Sequence, residues 1–150
     1  MIPVNTPLLN GNEKKYLNEC IDTGWISSEG PFIQKFEIGM AAYVGRKFGI
    51  AVANGSAALD IAVRAIGIKE GDEVIIPSFT IISPAQSVVY SGGKPILVDA
   101  DVNTWCMDVN KIEEKITSKT KAIIVVHIYG YPTDMDKVIE LANKHQLIII

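Results

Sequence analysis

The chain has 150 residues, 48% hydrophobic and 21% charged, the apolar content of a globular domain, which excludes a disordered or fibrous segment. Its net charge of −3 comes from 17 acidic and 14 basic side chains with no basic run to follow a phosphate backbone, so nucleic acid is not an expected partner. Cys20 and Cys106 form no CxxC pair and only two histidines are present, which argues against a disulfide framework or a metal site and for a reducing, cytoplasmic setting.

The start, Met1 to Lys15, has no basic stretch followed by an apolar core and a cleavage site, and no apolar run approaches membrane-spanning length, so a soluble protein without membrane contact is expected. A helix is predicted over Gly11–Thr23, followed by the turn-rich stretch Gly24-Trp25-Ile26-Ser27-Ser28-Glu29-Gly30-Pro31, read as an exposed loop. Phe32, Phe36, Met40 and Tyr43 then recur at helical spacing, predicting a helix at about 31–44 with Gly45 as its stop. These first 47 residues are read as an N-terminal helical and loop segment.

From residue 48 to 150 the pattern becomes regular. Phe48–Ala53, Glu73–Ile76, Pro95–Val98, Lys121–Val126 and Leu147–Ile150 are short runs rich in Val and Ile, predicted as five buried strands. Helix-like segments lie between them at about Ser56–Ile66, Ser83–Ser91, Asp108–Lys115 and Asp134–His145, with Ser56, Ser83, Asp108 and Asp134 as expected N-caps. Such alternation predicts an α/β domain with a mostly parallel sheet and flanking helices. No internal repeat or low-complexity tract interrupts it. The last run, Leu147-Ile148-Ile149-Ile150, stops inside an apolar strand pattern, where an α/β sheet would next present ligand-binding residues, so a truncated domain is expected.

Several motifs carry both a functional and a plain reading. Asn54-Gly55-Ser56-Ala57-Ala58-Leu59 joins a predicted strand to a predicted helix with small residues, which lets N–H groups at a helix N-terminus approach an anion. The same residues also suit an ordinary turn, with Gly55 for backbone freedom and Ser56 as cap. No GxGxxG, GxxxxGK[ST] or GxSxG occurs, which removes support for the enzyme classes those motifs mark. His127, in His127-Ile128-Tyr129-Gly130-Tyr131-Pro132, stands where a strand-end loop would place a site residue, or where an imidazole would satisfy backbone groups beneath that loop. Asp99 and Asp101 are spaced as a carboxylate pair, but turn and cap roles suit them better. Trp25, set among polar and turn residues, reads as the most exposed large aromatic, able to pack on a ligand, on a partner or under its own loop.

Five stretches together resemble the DegT-type nucleotide-sugar aminotransferase family, particularly its perosamine-synthase-like members. They are Ile2-Pro3-Val4; Gly24-Trp25-Ile26-Ser27-Ser28 with Gly30 and Phe36-Glu37; Asn54 to Leu59; Gly71-Asp72-Glu73-Val74-Ile75-Ile76-Pro77-Ser78-Phe79-Thr80; and Lys119-Thr120-Lys121-Ala122-Ile123 running into Val126-His127-Ile128-Tyr129-Gly130. They stand in the family's order and span nearly the whole chain.

The resemblance implies the large domain of a type I PLP enzyme, whose active site lies at a homodimer interface. It also implies a pyridoxal 5'-phosphate (PLP/PMP) cofactor whose phosphate sits at Gly55, Ser56 and Ala57. The ring is covered at Ile81, where the family usually has an aromatic, and His127 lies near the cofactor. Trp25 and Ser27 are implied substrate contacts. The implied reaction moves an amino group from glutamate to a 4-keto-6-deoxy nucleotide sugar, in amino-sugar and surface-glycan biosynthesis. The family's pyridine-nitrogen aspartate and Schiff-base lysine would fall after Ile150, so these 150 residues are expected to be inactive alone. A PMP-dependent sugar dehydratase of the same family and a non-catalytic binding or regulatory remnant are the alternatives.

Overall fold

The computed structural model describes residues 2–3 and 5–150; Met1 and Val4, the latter part of the first matching stretch, lie outside the described residues. The chain divides into two compact units, one reaching Ala51 and the other running over Val52–Ile150.

The first unit holds two helices, α1 (Glu13–Thr23) and α2 (Pro31–Tyr43). Proline at the first position of α2 suits a helix start, since its missing N–H would have no intrahelical partner there. Gly45, with φ 65°, ends α2 as expected: its N–H donates to Ala42 O and that of Arg46 to Ala41 O. Within α2 only Ala41 is buried, and Phe36, Met40 and Tyr43 are exposed.

The strand expected at Phe48–Ala53 does not form. A strand exists only by pairing, and the one hydrogen bond this segment makes among the described residues goes to a helix side chain instead: the Ala51 N–H donates to Glu37 Oε1 at 2.8 Å. Phe48 and Ile50 remain exposed.

The second unit contains α3 (Gly55–Ala65), β1 (Glu73–Pro77), α4 (Ser83–Tyr90), β2 (Lys94–Val98), β3 (Thr120–Ile123), α5 (Met135–His145) and β4 (Ile148–Ile149). Four strands, rather than five, form an all-parallel sheet in the order β2-β1-β3-β4. The apolar runs are continuous because both faces are covered. Val74 and Ile76 of β1 pack with Val63, Ile68 and Val88 on one face. Ile75, one residue out of phase, packs with Val98, Ile112, Ile123 and Val138 on the other. Gly93 permits the turn into β2 to press on this core: a Cβ there would lie 2.5 Å from Ile68 Cγ2.

The helix expected over Asp108–Lys115 is instead two 3-10 turns, Val109–Lys111 and Glu113–Lys115. Fully buried Ile112 stands between them, and Asp108 still caps the first by accepting from the Asn110 N–H. Asp134 caps α5 as expected. Ser56 and Ser83 do not act as N-caps; both lie one turn or less inside their helices, and Asn54 caps α3 by accepting from the Ala57 N–H at 2.9 Å. No described helix is long and apolar enough to cross a membrane.

Candidate functional site

The order of the sheet locates the site. The chain leaves β1 through α4 to reach β2 on one side, whereas it leaves β3 through α5 to reach β4 on the other. Connections that depart in opposite directions from adjacent parallel strands open a crevice beyond their carboxyl ends, which is where α/β sheets bind ligands. Here that crevice lies between the loop after β1 and the loop after β3.

These two loops form a cavity of about 450 Å³, lined by Phe79, Thr80 and Ile81 from one and Val126, His127, Ile128 and Tyr129 from the other. Ile81 and His127, nominated separately from sequence, therefore share one cavity. Ile81 is 71% exposed. The His127 ring is oriented by its own loop, since Nδ1 accepts the Thr133 N–H at 3.1 Å while the Thr133 hydroxyl donates to Val126 O at 3.1 Å. In neutral imidazole this acceptor role places the proton on Nε2. The plain reading of His127, as a residue satisfying backbone groups, thus holds for one nitrogen and leaves the other available. The Thr80 hydroxyl is shielded from solvent and has no hydrogen-bond partner among the described residues. Such an orphan destabilises the protein by about 1–3 kcal/mol unless something else bonds it.

The turn Gly55–Ala57 lines neither this cavity nor the others described below. It forms the N-terminus of α3, where the amides of Gly55 and Ser56 find no acceptor among the described residues. Because Asn54 performs the capping, the Ser56 hydroxyl is free to bond that of Ser83 at 2.8 Å. Ser83 opens α4, two residues beyond Ile81, so one bond ties the open helix end to the loop that carries the cavity wall. Gly55 does not need glycine's backbone freedom, as its φ is not positive, and a Cβ there would meet nothing within 4 Å. What its small size leaves is open space before two unpaired donors and the positive end of a helix dipole, a cradle that fits a phosphate.

Trp25 and Ser27 belong to the first unit, where they line a separate cavity of about 320 Å³ with Leu17, Ile21, Phe32 and Ile33. Trp25 is 50% exposed, so it is not the most exposed large aromatic; Tyr43 and Tyr129 exceed it. The Trp25 ring lies over Gly30, which brings part of its surface under the loop. The Ser27 hydroxyl is engaged locally, donating to Glu29 O and accepting from its N–H.

Asp99 and Asp101 serve turns, as expected. Asp99 accepts from the Ala100 N–H and the Ser78 hydroxyl. Asp101 accepts from the backbone N–H groups of Thr104 and Asn103 and from the Thr104 hydroxyl, and these bonds, led by the Thr104 N–H, hold its carboxyl below the usual carboxylate value. A cavity of about 390 Å³ beside them includes Asp108, Asp134 and Lys137. Its charges are already consumed, for Asp108 pairs with Lys111 and Asp134 with Lys137 while each caps a helix. Among the described residues, no cluster of His, Cys, Asp and Glu could hold a metal ion.

Two features of this end of the sheet were not read from sequence: the orphan hydroxyl of Thr80, and Trp105, whose ring meets that of Phe79 edge-on at 5.4 Å. The turn signal at Asp101 was legible, but not the direction in which that turn throws Trp105.

Comparison with known proteins gives this arrangement a context. The chain is 50% identical over 149 residues to GDP-perosamine synthase of Escherichia coli O157:H7, covering 99% of this chain and 41% of that protein. It is 51% identical to GDP-perosamine synthase of Caulobacter vibrioides, covering 99% and 40% respectively. The chain thus spans about two-fifths of the length of these relatives. The crystal structure of a GDP-4-keto-6-deoxymannose-3-dehydratase with a trapped PLP-glutamate geminal diamine superimposes with a TM-score of 0.88 at 25% identity, covering 99% of this chain and 40% of that one. Residues 7–150 match the model of the DegT/DnrJ/EryC1/StrS aminotransferase family, and with most of its length so matched the chain belongs to that family.

Proposed function

We propose that the full-length protein is a PLP-dependent, cytoplasmic homodimer that moves an amino group from glutamate to a 4-keto-6-deoxy nucleotide sugar, a step in building amino sugars for surface glycans. The observation that carries this reading is the open N-terminus of α3, where Gly55 and Ser56 present unpaired amides while Asn54 does the capping and Ser83 holds the Ser56 hydroxyl. Similarity to the two perosamine synthases supports the choice of substrate.

When bound, PLP would supply the electron sink through which the amino group passes from donor to acceptor. The amides of Gly55 and Ser56 would hold its phosphate, as charge-assisted bonds reinforced by the helix dipole. Ala57, whose N–H is taken by Asn54, shapes the cup without donating. Ile81 would cover a ring face by dispersion without aromatic stacking. His127 offers Nε2–H in the same cavity, and the Thr80 hydroxyl has a bond to give. Trp25 and Ser27 remain proposed substrate contacts. The Schiff-base lysine and the aspartate facing the pyridine nitrogen are assigned to sequence beyond Ile150, so residues 1–150 alone should not turn over.

A PMP-dependent dehydratase is the second reading, favoured by the structural match to a GDP-4-keto-6-deoxymannose-3-dehydratase, though at half the identity of the synthase matches. A histidine in place of the lysine would decide for it.

Replacing Ser56 by Asp puts a negative charge in the cradle. In the full-length protein, titration of PLP followed by absorbance should show affinity reduced at least about ten-fold, since repulsion between the new carboxylate and the phosphate at close range exceeds about 1.4 kcal/mol. Unchanged affinity would remove the phosphate from α3 and the reading with it.

A further inference from the structure

Two cavities at the carboxyl end of the sheet share a wall. Phe79, Ile128 and Tyr129 line the crevice that holds Ile81 and His127, and they also line a second cavity of about 390 Å³ completed by Thr104, Trp105 and Tyr131. Four of the six residues lining the second cavity are aromatic. Phe79 and Trp105 meet edge-on, Trp105 is 59% exposed and Tyr129 is 86% exposed.

That exposure is held in place by the backbone. Asp101 O accepts the Trp105 N–H at 2.9 Å and the Asp101 N–H donates to Cys106 O at 2.8 Å, while the Asp101 carboxylate gathers the amides of Asn103 and Thr104. On the other rim, the Cys106 thiol donates to Tyr131 O and the Tyr131 N–H to Ile128 O. Trp105 has φ 62° and Tyr129 φ 50°, a region bulky residues seldom occupy. Among the described residues the one other non-glycine with positive φ is Gln146, which ends α5 in an ordinary helix stop. Backbone strain of about 1–3 kcal/mol at such positions persists where the surroundings over-determine it, and it clusters at ligand sites.

The chemistry of this cavity is stacking rather than charge. No ionisable acid or base lines it apart from the two tyrosines, and the Thr104 hydroxyl already donates to Asp101. A nucleotide-linked ketosugar has one flat, aromatic and uncharged part, its base, and that part is remote from the sugar carbon that must reach the cofactor. We propose that the Phe79, Trp105, Tyr129 and Tyr131 pocket seats the nucleobase of the substrate, with the sugar directed across the shared wall toward Ile81 and His127. This assignment rests on the reading of the protein as a nucleotide-sugar enzyme.

The test uses the full-length protein loaded with PLP, its Trp105→Ala and Trp105→Phe variants, and GDP as the binding probe. The absorbance response to glutamate involves no nucleotide and serves as the internal control. Trp105→Ala should weaken GDP binding and raise the KM for the nucleotide ketosugar about ten-fold, as loss of one base-aromatic stack does, and Trp105→Phe should restore most of both. Unchanged GDP affinity, or an equal fall in the glutamate response, would overturn the assignment: the first removes the base from the pocket and the second makes Trp105 a structural support. A wild-type protein that gives no response to glutamate would instead sink the aminotransferase reading, and this assignment along with it.

Discussion

Gly55 shows how much a single residue's role depends on what stands beside it. From sequence it could serve a turn through backbone freedom or an anion through small size; its φ is ordinary, so it does not need glycine's backbone freedom, and the space before it is open. Asn54 and Ser56 are both good caps two positions apart, and sequence offers no way to choose between them. The choice matters, because capping by Asn54 leaves the Ser56 hydroxyl to reach Ser83. Gly55→Ala should therefore stabilise the folded protein by about 0.4–1 kcal/mol in denaturant unfolding, while weakening PLP binding by crowding the cradle. Ile81→Tyr restores an aromatic at the cavity wall and should tighten PLP binding several-fold, from a stacking gain of about 0.5–1.5 kcal/mol; a titration showing no gain would mean that position 81 does not face the ring.

Among the elements, those whose apolar pattern is answered by a neighbour were the legible ones. The run Glu73-Val74-Ile75-Ile76 is apolar on both faces because it lies inside the sheet with cores above and below. Ile75→Ala, which empties a fully buried position in β1, should cost about 2–5 kcal/mol in chemical unfolding. Phe48–Ala53 has a similar composition but no strand to pair with, and pairing cannot be read from composition. The segment Asp108–Lys115 had a cap and charged residues but too few apolar positions to hold a full helix, and Ile112 instead fixes two short turns.

The second of these turns is clamped to the end of α5, where Glu113 bonds Lys144 and His145, the latter at 3.0 Å. Lys144, then His145, holds the Glu113 carboxyl below its ordinary value of 4.5, while Glu113 raises the Lys144 ammonium above its ordinary value. A carboxyl lowered on folding contributes stability above the unfolded value and loses it as pH falls through the folded one. The raised ammonium contributes below its unfolded value and loses that share as pH rises through the folded one. Glu113→Gln should therefore lower Tm slightly at neutral pH, and the difference from wild type should vanish in acid below the carboxylate range. A deficit that persisted in acid would show the clamp is not electrostatic.

At the scale of the molecule, topology and resemblance supplied different parts of the account. Alternating strands and helices predicted an α/β sheet, and the sheet's order reveals a crevice between β1 and β3 that no local pattern announces. Ile81 and His127 are 46 residues apart in sequence and meet there because those two strands are neighbours. The chemistry assigned to the crevice came from the order of five short stretches, not from periodicity, and family membership rests on the match over residues 7–150. The relatives are more than twice as long as this chain, so the proposed reaction is to be tested in the full-length protein. The most direct test is to follow PLP absorbance in that protein while adding glutamate and then a GDP-linked 4-keto-6-deoxyhexose. Glutamate should bleach the cofactor band, and the ketosugar should restore it with formation of an aminated nucleotide sugar. Failure of glutamate to change the spectrum, together with no amination of the ketosugar, would contradict the proposed reaction.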